Sequence, residues 1–367
     1  MTMNRYLTLA LCGCLGMLAS AAGGAEGGVQ PPAMPHVPPE TQSLEDAKQL
    51  PRVTQPAALR DTLLDLQKGG LHERIEKLKR KVLDDLVPVR GGTYMMGDFG
   101  SVFLKSGLPF TIYSDNKPLH KVTLSSFKIS RYKTTFAEFD VFLDATHQPH
   151  VDSDVLPYRN ALVPAGATWK QAKDYCQWLG KQTGEPLDLP TEAQWEYAAR
   201  SRGQNFLFAT DDGNLAFGRN IDDYYQRKLI IPLADNPDKQ GKRIPTRNYP
   251  IGMFPGNPLG LYDMNSDGYE WVNDWYADDY YQHSPENNPR GPVSGQWKVI
   301  RSTSSDERKG PYNNNLSRGY ADPDLLLDVA TGKVHTDFWT NKPEPIYPGV
   351  YSFRCASNSR ESAQVRE

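Results

Sequence analysis

Residues 257–276 read Asn-Pro-Leu-Gly-Leu-Tyr-Asp-Met-Asn-Ser-Asp-Gly-Tyr-Glu-Trp-Val-Asn-Asp-Trp-Tyr, a stretch that crowds carboxylates, amides and glycines between aromatic rings. Asp267, Gly268 and Glu270 fall in a turn-like run where short acidic side chains and backbone carbonyls can converge, the oxygen-rich setting that calcium prefers. The same residue types also brace turns, because Asx side chains bond nearby backbone amides, and composition leaves both readings open. Only two cysteines, Cys176 and Cys355, stand in the body of the chain. In an exported domain such a pair suggests a disulfide, with two buried thiols as the alternative. His147-Gln148-Pro149-His150 is a close histidine pair, but the intervening proline and the lack of a third ligand in register argue against a metal centre. Ser302, Thr303, Ser304 and Ser305 offer hydroxyls without the histidine and aspartate order that would activate them, so they read as a polar loop. Asp211-Asp212-Gly213-Asn214 reads as a tight turn, and Asp222-Asp223-Tyr224-Tyr225 and Asp278-Asp279-Tyr280-Tyr281 read as polar surface loops.

The elements that must position these groups are short. The 367 residues include 30 Gly and 29 Pro, which punctuate helices and strands. With 19 Tyr, 13 Phe and 7 Trp against a mean hydropathy of −0.60, the expected core is aromatic and the surface rich in loops. A net charge of −3 gives no electrostatic case for nucleic acid. Residues 1–22 read as an export signal: a basic start at Arg5, an apolar stretch, and a small-residue cleavage site at Ala19-Ser20-Ala21. Leu11-Cys12-Gly13-Cys14 also resembles a lipobox with Cys14 as the lipidated residue, and soluble periplasmic release stands ahead of that reading. No later run approaches the roughly 18–20 apolar residues of a membrane span. Residues 23–56 carry Pro, Gly, Gln and Glu without apolar periodicity and read as a flexible tether. Between 57 and 86, Leu59, Leu63, Leu66, Ile75, Leu78, Val82 and Leu86 recur at near-helical spacing. Gly69-Gly70 interrupts them, which predicts two amphipathic helices, either capping the domain or binding a partner.

Several motifs share one resemblance. Residues 257–271 are similar to Asn-x-x-Gly-Leu-Tyr-Asp-Met-x-Gly-Asn-Val-Trp-Glu-Trp; residues 189–200 to Leu-Pro-Thr-Glu-Ala-Glu-Trp-Glu-Tyr-Ala-Ala-Arg; and residues 167–178 to Val-Ser-Trp-x-x-Ala-x-x-Tyr-Cys-x-Trp. Residues 92–97 and 118–124 look like the matching opening strands, and Ser352-Phe353-Arg354-Cys355 looks like a closing Gly-Phe-Arg-Cys. Together they resemble, in order, the formylglycine-generating enzyme family, also called sulfatase-modifying factors. The resemblance implies an α+β fold related to C-type lectins, a single domain over residues 87–360 with little regular secondary structure, and helices near 170–180 and 192–201.

The resemblance also sets expectations for chemistry. It implies that Cys176 and Cys355 pair as a structural disulfide. It implies two calcium sites, one on Asn220, Ile221 and Asp238, the other on Asn257, Gly260, Asp267 and Glu270. Two positions depart from the family's loop: Gly-Asn is Ser266-Asp267 here, and Val-Trp is Gly268-Tyr269. The copper-binding cysteines that follow the family's Arg-Gly-Gly-Ser run map onto Glu307 and Tyr312, counted from Arg301. Without those thiolates no soft copper(I) site forms, so formylglycine generation and bound copper are not expected. Arg301, Arg318 and Arg354 match family arginines and read as buried scaffold partners. Members of this kind resemble the accessory regulators of type VI secretion. That likeness implies a non-catalytic regulator or binding protein of the bacterial periplasm, acting on the periplasmic part of a membrane threonine kinase. Lipidation of Cys14 would add outer-membrane association. The alternative is a periplasmic oxidase of pyoverdine-type siderophore maturation working without the copper cysteines, with a pocket near Trp297, Glu307 and Tyr312.

Overall fold

Three helices begin with the same device. Thr135, Thr168 and Thr191 each accept a bond from the backbone N–H three residues on, while Glu138, Gln171 and Gln194 reach back to the cap backbone. This reciprocal box satisfies two backbone donors that a helix start leaves open. The computed structural model describes residues 41–150, 159–223, 225–226, 229, 249–303, 314–324, 335–336, 343–344 and 351–357, which belong to one compact unit.

In chain order the elements are α1 (Leu44–Ala47), α2 (Ala57–Asp65), α3 (Leu71–Asp85), β1 (Leu86–Val89), β2 (Gly92–Met96), α4 (Gly100–Phe103), β3 (His120–Leu124), β4 (Phe127–Ser130), α5 (Phe136–Ala145), α6 (Trp169–Thr183), β5 (Leu187–Asp188) and α7 (Glu192–Ala199). They continue with β6 (Gly268–Trp275), β7 (Lys298–Thr303), β8 (Gly319–Ala321), β9 (His335–Thr336), β10 (Pro343–Glu344), β11 (Tyr351–Ser352) and β12 (Ala356–Ser357). Helices and mostly antiparallel sheets joined by long irregular segments make this an α+β fold. One sheet runs β1-β4-β12-β5 and a second β11-β6-β7-β8, while β2 and β3 pair as a separate ribbon. In the second sheet β11 lies parallel to β6, and Glu270 on β6 sits opposite Arg301 on β7.

The helices expected at 170–180 and 192–201 are α6 and α7, and the expected opening strands are β2 and β3. Helix α6 ends on Gly184, whose φ of 79° suits a left-handed cap. The two amphipathic helices of residues 57–86 are α2 and α3, parted at Gly69 with φ 94°. Their Leu63, Leu66, Leu78 and Val82 share a core with Phe139, Phe142, Tyr175 and Phe353. Lys81 reinforces the seam: its buried ammonium donates to Asp85 at 2.8 Å and Glu138 at 2.7 Å. Burial opposes its charge, but these two carboxylates outweigh it and raise its affinity for the proton. The helices therefore cap the domain.

Residues 41–56, expected to be part of a flexible tether over 23–56, are instead anchored to the domain. Thr41 donates through its backbone N–H and hydroxyl to Asp223, Ala47 is buried, and Gln55 donates to the carbonyl of Ile251. Residues 41–56 are held by a few polar anchors, which leave no periodic trace in sequence.

Cys176 on α6 and Cys355, between β11 and β12, form a disulfide with their Cα atoms 5.6 Å apart, across a sequence separation of 179. The bridge ties the closing segment to the middle of the chain.

Candidate functional site

Helix α7 carries Glu192 and Glu196 one turn apart, both buried, because Trp195 and Tyr197 on the same short helix pack into the core. Glu192 accepts from Arg301 Nη1 at 2.8 Å, from Arg318 Nε and Nη2 at 2.7 and 3.0 Å, and from the Tyr281 hydroxyl at 3.3 Å. Glu196 accepts from Arg301 Nη2 at 3.0 Å, Arg200 Nη1 at 2.8 Å and the Gly97 N–H at 3.0 Å. Burial works against ionisation of Glu192, yet the Arg318 and Arg301 charges prevail and hold its carboxyl below the usual range. Arg301 sits near the end of β7 and also donates to the carbonyl of Asn315. It thus grips both sides of residues 304–313, the segment where the copper cysteines of the resemblance would lie.

Next to this network, Asp274 accepts from the Glu192 N–H at 2.9 Å. Burial, reinforced by the charge of Glu192, pushes its carboxyl up to about 7. The folded protein therefore keeps a proton that the unfolded chain releases near 3.8, the ordinary value of an aspartate. This contribution to stability is complete below the unfolded value and is lost as pH rises through the folded one. Urea midpoints of the wild type are expected to fall between pH 4 and pH 7 more steeply than those of Asp274→Asn; parallel profiles would contradict the assignment.

The second cluster lies under the 257–276 loop. Glu270 accepts from Arg354 Nε at 2.7 Å and Nη2 at 2.8 Å, and from the Trp195 indole N–H at 3.0 Å. Arg354 also donates to the carbonyls of Ser130, Arg131 and Tyr262, joining β4, the loop and the chain end. The three expected scaffold arginines, Arg301, Arg318 and Arg354, are all fully buried and ion-paired.

The donors expected to converge on calcium in this loop are committed separately, so they do not fit that ion. Asn257 accepts from the Leu259 and Leu261 N–H groups and donates to the carbonyls of Ala198 and Ala199. The Gly260 carbonyl accepts from Arg131, Asp267 Oδ1 accepts from the Tyr249 N–H, and Glu270 is engaged by Arg354 and Trp195. The carbonyls that do converge, those of Ser266, Asp267 and Gly268, all accept from the ammonium of Lys133. Asn220 likewise serves its own turn: its oxygen accepts from the Ala216 N–H, and its amide donates to Asp211 and the carbonyl of Asn214. The Ile221 carbonyl accepts from the Gly218 N–H. No group of three or more His, Cys, Asp or Glu able to hold a metal occurs among the described residues. Cys14, Asp238, Glu307 and Tyr312 lie outside them.

Trp297 is partly buried and packs on Tyr320, with ring centroids 5.8 Å apart. Lys298 lies between the indoles of Trp169 and Trp275, 3.8 and 3.7 Å from their centroids, and donates to the carbonyl of Asn273. Burial pulls its ammonium down to about 8. His150 bonds Asp144 at 2.7 Å, which uses one ring nitrogen of the histidine pair in a surface contact. Glu192 and Glu196 were legible as an i, i+4 pair in the 189–200 motif but drew no expectation. Lys133 and Lys298 had no signal, since a lone lysine in sequence reads as solvent-facing.

An α+β scaffold whose irregular loops are pinned by buried arginine–carboxylate pairs is the class these features define. Residues 72–319 match the sulfatase-modifying factor enzyme 1-like domain, and the chain belongs to that family. The match begins within α3. Serine/threonine-protein kinase pkn1 of Chlamydia pneumoniae is 27% identical over 251 residues, covering 62% of this chain and 34% of its own. The formylglycine-generating enzyme of Mus musculus is 26% identical over 265 residues, 59% of this chain and 65% of that enzyme. That of Streptomyces coelicolor is 29% identical over 262 residues, with 59% and 76% covered. The chain thus spans about a third of the kinase and under two thirds of the mouse enzyme. Among solved structures, PvdO from Pseudomonas aeruginosa is similar at 25% identity and a TM-score of 0.51, over 74% of this chain and 93% of PvdO.

Proposed function

We propose that this protein is a non-catalytic member of its family, exported to the periplasm, where it binds and regulates the periplasmic region of a membrane threonine kinase that promotes type VI secretion. The observation that carries the reading is the disulfide: both cysteines of the chain body are spent on it, so no thiolate pair remains for copper(I). The buried carboxylates that face Arg301 agree. Glu192 and Glu196 are saturated by guanidinium groups and are poor candidates for general acid or base work. A family domain within proteins named as serine/threonine kinases supports pairing this scaffold with kinase signalling. The second reading, oxidation of a siderophore precursor, is favoured by the similarity to PvdO.

The test is affinity capture with the tagged chain from the detergent-solubilised envelope of its own host. Co-elution of a membrane threonine kinase is the expected result. Absence of any kinase, together with oxygen consumption on a catechol-bearing siderophore precursor, would overturn it in favour of the oxidase.

A further inference from the structure

We propose that Lys133 is a built-in cation that holds the 263–270 loop, so that this loop folds without calcium. Lys133 lies between β4 and α5, two residues before the cap Thr135, and its side chain is fully buried. Its ammonium donates to the carbonyls of Ser266 at 2.6 Å, Asp267 at 3.1 Å and Gly268 at 2.6 Å, which uses all three of its N–H bonds. These carbonyls converge because the backbone turns left-handed twice in succession, at Asp267 with φ 60° and Gly268 with φ 95°. Glu270 Oε1 stands 3.9 Å from the ammonium, and the carboxylates of Asp263 and Asp267 add their negative field.

Convergent carbonyls inside a ring of carboxylates are the donor set that calcium uses, at about 2.3–2.6 Å from the ion. Here the centre of that set is taken by a nitrogen covalently part of the chain. An ion bound to the same oxygens would overlap the ammonium, and its double charge would meet the ammonium and the Arg354 guanidinium together. Among the described residues the loop then carries two cations, Lys133 and Arg354, against three carboxylates, Asp263, Asp267 and Glu270. A tethered cation gives a loop whose order does not follow the free calcium concentration. A metal-held loop would respond to calcium.

The test is amide hydrogen exchange, read at Tyr249 and across Gly268–Trp271, in protein refolded in a chelator and then supplied or not with millimolar calcium. Wild-type exchange is expected to be the same in both conditions. Lys133→Met, which keeps the length and loses the charge, is expected to exchange about tenfold faster or more at these amides. Calcium-dependent slowing in the wild type would overturn the proposal, as would wild-type protection in the methionine variant. Should that variant not fold, Lys133→Arg is expected to fold and to remain indifferent to calcium. Calcium-dependent protection of its loop would count against the proposal.

Discussion

Glu192→Gln is expected to lower stability by about 3–5 kcal/mol in urea unfolding, because it breaks a buried ion network from the side that has fewer charges. Glu192 and Glu196 together face Arg200, Arg301 and Arg318, whose side chains are all buried. Arg200 and Arg301 would still reach Glu196. Among the described residues Arg318 would keep the carbonyls of Asp115 and Ala277 and its contacts with the Tyr276 and Tyr281 rings, but would lose the carboxylate it is paired with in the core. The amide retains the shape of the carboxylate, so a loss of this size would report the charge and not a cavity. Adding Arg318→Met to the variant is expected to recover part of the loss, since the stranded charge goes with it. A loss under about 1 kcal/mol, within reach of a surface ion pair, would contradict the buried-network account.

The second large effect concerns the bridge. Replacing Cys176 and Cys355 together by alanine is expected to remove about 2–5 kcal/mol, toward the upper end because the bridged residues stand 179 apart. The chain-entropy argument places the effect in the unfolded state: without the bridge the closing segment wanders from α6, and β11 and β12 must be recruited to their sheets across the whole domain. The expected readout is a lower urea midpoint with a steeper dependence on urea, as more surface opens in the unlinked unfolded chain. An unchanged midpoint would show that the native packing of Phe353 and Arg354 holds the segment unaided.

Much of the scaffold is legible in the amino-acid sequence. The Thr-x-x-Glu or Thr-x-x-Gln starts at 135, 168 and 191 carry their own mechanism. So does the Leu63, Leu66, Leu78 and Val82 pattern broken at Gly69-Gly70, and the family motifs placed the opening strands β2 and β3 and helices α6 and α7. The arginines were legible by type, because a guanidinium at a motif position buries well only against carboxylates. Less visible was what each carboxylate would meet. Asn257, Gly260, Asp267 and Glu270 have the composition of a cation site, but occupancy is decided by a residue 124 positions before Asn257 in the chain, Lys133, and spacing does not report contacts of that range. The anchoring of residues 41–56 escaped for the same reason: Thr41 meets Asp223 across 182 positions.

The central claim is that the family fold persists here without its thiol redox chemistry. The most direct measurement supplies the chain lacking residues 1–22 with copper(I), air and a peptide bearing a sulfatase-type cysteine, and follows the peptide by mass spectrometry alongside a thiol titration of the unfolded, unreduced protein. The account predicts no titratable thiol and a peptide cysteine that stays unchanged. Conversion of that cysteine to formylglycine would contradict it.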